Sequence, residues 1–107
     1  MFMLYLTCKK HLIILEQILK QCSLWADSTP SVQAMASSAP FACDTMAFEQ
    51  WLQFIFIPKM SELIEFQHPL PANMAIAPMA EHVWQGMTDY AELIRHLRDF
   101  DTLLSQQ

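Results

Sequence analysis

Apolar residues near the start of the chain recur at Leu4, Cys8, Leu12, Leu15, Leu19 and Cys22. Steps of three and four put them on one helical face. Lys9, Lys10, Glu16, Gln17, Lys20 and Gln21 fall on the other side, so the pattern predicts an amphipathic helix from about Met3 to Trp25. Ile13, Ile14 and Ile18 widen its apolar stripe beyond what one neighbour needs. The same stepping returns at Tyr90, Leu93, Leu97, Phe100 and Leu104 and predicts a last helix. Thr88 is its expected N-cap, with Asp89 in the first turn.

Between these helices lies PFACDTMAFEQWLQFIFIPKM, residues Pro40–Met60. From Trp51 to Ile57 only Gln53 is polar. A helix apolar all round is buried all round, so this segment is the expected axis of the domain. Asp44 and Thr45 offer its N-cap, and it runs to about Phe66. Pro58 stands inside it. Its missing N–H and its ring, which clashes with the carbonyl of Phe54, predict a kink costing about 3 kcal/mol. Gln53, if buried, needs a partner; a backbone group freed by Pro58 is the expected one.

The connections are read from proline. Ala26–Phe41 is rich in Ser, Ala, Thr and Pro, and short turns near Ser31–Ser37 are expected to point Val32 and Met35 inward. QHPLPANMAIAP, with Pro69, Pro71 and Pro78, reads as an extended crossover, because residues before proline avoid the helical region. Pro78 then starts a short helix carrying Met79, Val83 and Trp84 inward, and Gly86 stops it. No internal repeat appears, and residues 1–107 read as one all-α domain.

Composition sharpens this picture. Hydrophobic residues make up 53% of 107 and charged residues only 16%, below the roughly 25% of ordinary soluble domains. Too little polar surface remains to cover the outside, so some apolar surface is expected to be shared with a protein partner or a second copy. The single glycine argues against tight hairpins and excludes a phosphate loop. Net charge is −5, and the six Lys/Arg are scattered, which disfavours direct nucleic-acid binding. No run reaches the roughly 18 apolar residues of a membrane span. The opening MFMLYLTC lacks the basic residues of a signal sequence. Three cysteines give no disulfide framework. A cytoplasmic protein is expected.

No residue set amounts to a catalytic centre, and no cofactor or metal is expected. Glu65 and His68 form the one Glu-x-x-His pair of the kind used by di-metal bundles, but they fall at a helix end before Pro69. Cys8, Cys22 and Cys43 lack the short spacing of a zinc site. Cys43, Asp44 and His82 are the least implausible catalytic participants. Eight methionines suit either an adaptable binding surface or an irregular core.

The combination Asp44-Thr45-Met46, Trp51-Leu52-Gln53, Ile57-Pro58-Lys59-Met60, Pro69-Leu70-Pro71 and Ile76-Ala77-Pro78 resembles the YqcC family of small bacterial proteins. The match covers Pro40–Glu81, and Leu24-Trp25 is compatible with it. Phe48 departs from the family pattern, where members can carry proline at the helix start. What the resemblance implies is a closed four-helix bundle with a kinked central helix and proline-rich crossovers. It also implies genes found beside a tRNA pseudouridine synthase, whose name is sometimes borrowed. The expected function is a non-enzymatic accessory or protein-interaction module, with that synthase as first candidate partner or a homodimer as the alternative assembly. A bundle that binds a small molecule or lipid is the alternative function. Asp44, Thr45, Met46, Trp51, Gln53, Pro58, Met60, Pro69, Pro71 and Pro78 are the expected motif and docking residues.

Overall fold

The computed structural model describes residues 2–39, 41, 43 and 45–106, and Asp44 lies outside them. Every regular element among them is helical, with no strand. Helix α1 spans Phe2–Gln21 and buries Cys8, Leu12, Leu15, Ile18 and Leu19. It ends at Gln21 rather than Trp25. Ser23 adopts φ 60, its N–H donates to the Lys20 carbonyl, and the Leu24 N–H donates to the Leu19 carbonyl. These two bonds form a Schellman stop, with serine in place of the usual glycine.

The short helix α2, Val32–Met35, is capped by the Ser31 hydroxyl, which accepts from the Ala34 N–H. Met35 is half-buried, but Val32 is 85% exposed, contrary to the inward orientation expected of it.

The central helix α3, residues 48–65, has three parts: an α turn Phe48–Trp51, a π-helical stretch Leu52–Phe56, and an α segment Ile57–Glu65. Its N-cap is Ala47, not Thr45. The Ala47 N–H donates to the Gln50 side chain at 3.0 Å, and the Thr45 hydroxyl turns away to donate to the Ala34 carbonyl at 2.7 Å. In the π stretch the Ile57 N–H reaches back five residues to the Leu52 carbonyl. Pro58 therefore stands in the first turn of a restarted α segment. There a missing N–H costs little, so the penalty of a mid-helix proline is largely avoided. The helix is also not buried all round. Leu52, Gln53, Phe56 and Met60 face the core, Trp51, Phe54, Ile55 and Ile57 are partly covered, and Pro58 and Lys59 are exposed. A second Schellman stop, with Gln67 at φ 54, ends the helix. The Gln67 and His68 N–H groups donate to the Ile64 and Leu63 carbonyls there.

Residues 67–75 cross over without regular structure, pinned by the Tyr5 hydroxyl, which donates to the His68 carbonyl at 2.7 Å. Leu70 is buried beneath them. Helix α4 is Ile76–Val83, so Pro78 lies within its first turn rather than starting it. It buries Ile76, Ala77 and Ala80, and Trp84 just beyond its end is buried too, whereas Met79 and Val83 are only half-covered. Gly86 at φ 79 makes the left-handed turn that follows. A 3₁₀ turn, Thr88–Tyr90, leads into helix α5, Ala91–Ser105. Thr88 does not cap α5; it belongs to the 3₁₀ turn. Leu93, Leu97, Phe100 and Leu104 are fully buried, as their spacing predicts.

Helix α5 packs against α1 and α4, and α1 also packs against α3, so that one core joins all four. Two polar contacts fix these packings. Asp101 of α5 accepts the Ala77 N–H through Oδ2 at 2.8 Å. This caps α4, whose own flanking residue Ala75 supplies no side-chain cap. His96 of α5 stacks on His11 of α1 with ring centroids 5.0 Å apart, and its Nε2 lies 2.8 Å from the His11 carbonyl.

The cap is supplied across an interface, so Asp101→Ala should lower unfolding free energy by about 1–2 kcal/mol. Asp101→Asn, which keeps an acceptor, should lose well under half of that. Equal losses in denaturant titrations would show that the bond to Ala77 does not matter.

Burial lowers the His96 pKa, and the neighbouring His11 lowers it further; the bond to the His11 carbonyl, Asp99 and Glu92 partly offset this. The fold thus favours the neutral ring, and the unfolded chain binds the extra proton first. This stabilisation is present above the unfolded value near 6.5 and is lost as pH falls below it toward the folded value. The melting midpoint should drop between about pH 7.5 and about pH 5.5, and His96→Gln should flatten that slope. An unchanged slope in the variant would assign the acid sensitivity to other groups.

Candidate functional site: an apolar groove beside the central helix

A groove of about 590 Å³ runs along one side of α3. Ile55, Lys59 and Leu63 step by four along α3 and form one wall. Pro69, Pro71 and Met74 of the crossover form the other. The floor is Phe56 and Met60, of which Met60 is only 2% exposed. Phe41 and Trp51 close one end.

That end is an aromatic cluster. Trp51 meets Phe41 edge-on at 5.0 Å and stacks on Phe56 at 5.5 Å between centroids. Phe41 sits at φ 58. For a bulky side chain this left-handed backbone costs about 1–2 kcal/mol, and the ring contacts to Phe48 and Trp51 hold it.

The expected docking residues divide into two groups. Trp51, Met60, Pro69 and Pro71 come together in the groove. Thr45, Met46, Gln53, Pro58 and Pro78 do not. Met46 is buried, and Pro58 and Pro78 are exposed away from the groove. Gln53 does not serve a group freed by Pro58. Its Oε1 accepts the Ala26 N–H at 2.8 Å and its Nε2 donates to the Ala26 carbonyl at 2.9 Å, which clamps the chain leaving α1 onto α3. Ile55, Lys59, Leu63 and Met74 were missed as site residues; the four-residue step from Ile55 to Leu63 was the available signal.

The groove offers dispersion and apolar burial rather than covalent chemistry. Lys59 is its charged lining residue among those described. No group of three or more His, Cys, Asp or Glu among the described residues is placed to hold a metal. Glu65 and His68 are both exposed, at and beyond the end of α3. Burial pushes the Cys8 thiol up to about 11, and Cys22 is also raised, by burial first and then by Glu92 and Asp89. Neither is poised as a thiolate nucleophile. Cys43 and His82 are exposed.

A family model, DUF446, described as tRNA pseudouridine synthase C, matches residues 7–103. The chain belongs to this family, the YqcC family. An uncharacterized protein of Haemophilus influenzae is 37% identical over 89 residues, covering 83% of this chain and 84% of that protein. The uncharacterized protein YqcC of Escherichia coli is 37% identical over 67 residues, 63% of this chain and 62% of its own. The solution NMR structure of E. coli YqcC superposes with a TM-score of 0.86 at 29% identity, over 95% of this chain and 88% of that one. A third relative, from Pectobacterium carotovorum, is named tRNA pseudouridine synthase C. It is 31% identical over 78 residues, which are 73% of this chain but only 21% of that protein. The YqcC-like part is thus a small portion of a much longer chain.

Half-burial at the end of the groove lowers what Trp51 contributes to the fold. Trp51→Ala should cost about 2 kcal/mol, and Trp84→Ala, at a position 4% exposed, about 3–5 kcal/mol. Thermal melts that reverse this order would place Trp51 in the core instead of on a binding surface.

Proposed function

We propose that this chain is a non-enzymatic accessory module, a closed four-helix bundle of α1, α3, α4 and α5, that acts in the cytoplasm on a tRNA pseudouridine synthase. The observation that carries the reading is the Pectobacterium relative. A stretch similar to this chain makes up 21% of a protein named for the synthase, so about four fifths of that protein has no counterpart here. An activity belonging to that name resides in the larger part, and the name reaches shorter family members by borrowing. Joining of two units in one chain also supports a working association between them when they are separate. The chemistry agrees. A pseudouridine synthase uses a catalytic aspartate on a mixed α/β scaffold, and the regular elements among the described residues here are all helical. RNA contact is then the synthase's task, since Lys20 and Arg98, two of the few bases, are paired with Glu16 and Glu81.

A second reading, a carrier for a small apolar molecule, is favoured by the volume and apolar lining of the groove. Native mass spectrometry of freshly purified protein separates the two: an added mass of a few hundred daltons supports the carrier, and the bare chain supports the docking module.

The direct test mixes purified chain, a tRNA pseudouridine synthase C and unmodified tRNA. The chain alone should form no pseudouridine, should co-elute with the synthase, and should change its kcat/KM. Turnover by the chain alone would end the non-enzymatic reading, and separate elution with unchanged kinetics would end the accessory one.

A further inference from the structure

We infer that the groove beside α3 receives an amphipathic helix of the synthase, with an acidic residue on it opposite Lys59. The inference rests on the accessory reading above and adds to it the surface and the chemistry of the contact.

The form of the partner follows from the walls. Pro69 and Pro71 have no N–H to donate, so an incoming strand could not build a main-chain ladder along the crossover. The α3 wall has its own backbone bonds turned inward along the helix. Affinity has to come from apolar side chains, and a wall stepping Ile55, Lys59, Leu63 matches a helix presenting anchors at the same spacing. The groove extends over two helical turns, about 12 Å, enough for such a face and too short for a long extended peptide.

The charge of the partner follows from the rim. Lys59 is exposed on a wall that is otherwise apolar, in a chain of net charge −5. A carboxylate on the incoming helix meets Lys59, the charged lining residue among those described. The same rim argues against a second copy of this chain. Its spare apolar helix face, on α1, exposes Met3, Leu6, Ile13 and Ile14 and carries Lys9 and Lys10 beside them. Docking that face here would bring like charges together.

The experiment measures binding of the full chain to full-length tRNA pseudouridine synthase C by calorimetry, alongside Met74→Glu, Lys59→Glu and Ile13→Glu. Met74→Glu puts a carboxylate into the apolar wall and should weaken binding by about tenfold or more. Lys59→Glu, at an exposed site that leaves the fold intact, should weaken it roughly threefold and reduce its salt dependence. Ile13→Glu, on the spare face of α1, should bind as the parent does. Circular dichroism melts confirm that each variant is folded. Parent binding that is matched by both groove variants would overturn the groove as the docking site while leaving the accessory role standing. Loss only in Ile13→Glu would move the site to α1. No binding by the parent at all would remove the accessory role and this inference together. A concentration-dependent dimer that Met74→Glu dissolves would put a second copy in the groove and overturn the inference, as would a bound acyl chain found there.

Discussion

A proline inside the most apolar helix is the constraint around which the rest is arranged. Pro58 cannot donate to a carbonyl one α turn back, and an uninterrupted α-helix would place its ring against that carbonyl. The chain meets this by widening to a π turn over Leu52–Phe56 and restarting as α at Ile57. The π turn holds Leu52, Gln53 and Phe56 on the covered side. Gln53 then reaches both backbone groups of Ala26, where a buried amide left unmatched would cost about 1–3 kcal/mol. That clamp fixes the start of the long connection, and the bond from Thr45 to Ala34 folds its far part back on itself. Between them Phe41 is brought into edge contact with Trp51. The groove end is thus tied to the proline through a sequence of named contacts.

The helices that were legible are those whose spacing settles them. Leu93, Leu97, Phe100 and Leu104 step by three and four, and all are fully buried. What the sequence concealed is how the helices stop and start. Ser23 and Gln67 hold left-handed positions that glycine usually marks, and a chain with one glycine has no such marker to read. The start of α4 was misplaced for a related reason. Pro78 is a strong local signal for a first helical position, but the true cap is Asp101, which comes from α5 across the interface. A cap supplied by tertiary contact leaves no trace in its local window. Thr45 shows the converse, a good capping residue that lies two positions before the N-cap Ala47 and donates its hydroxyl to the Ala34 carbonyl instead.

The site was half legible, and the division has a physical basis. Family motif residues mix two roles that a linear motif cannot separate. Gln53 and Met46 are spent on the interior, whereas Trp51, Met60, Pro69 and Pro71 gather at the groove. Trp51 seemed a core residue because, from it to Ile57, only Gln53 is polar. Expecting a helix covered on every side missed that one side of α3 faces chiefly the irregular crossover. Such a segment covers a helix incompletely, and the half-covered strip from Ile55 to Leu63 is the consequence. Lys59 stands exposed in that strip.

Why the groove stays open rather than collapsing can be argued from its ends. Phe41 is strained at φ 58, which the fold tolerates only because its ring is seated between Phe48 and Trp51. The crossover wall contains two prolines, which restrict its backbone, and it is anchored by buried Leu70 and by the bond from Tyr5 to His68. Neither end can relax inward without breaking a contact already made. A recess held in this way loses little further freedom when filled, and ordering costs are a main drain on affinity at protein interfaces. Strain of about 1–2 kcal/mol at Phe41 is small beside the domain's burial but is spent where it shapes a surface. Strain concentrated at a recess is common at binding sites. In a chain this poor in charge, an apolar recess held by contacts of this kind is the surface on which the proposed docking rests.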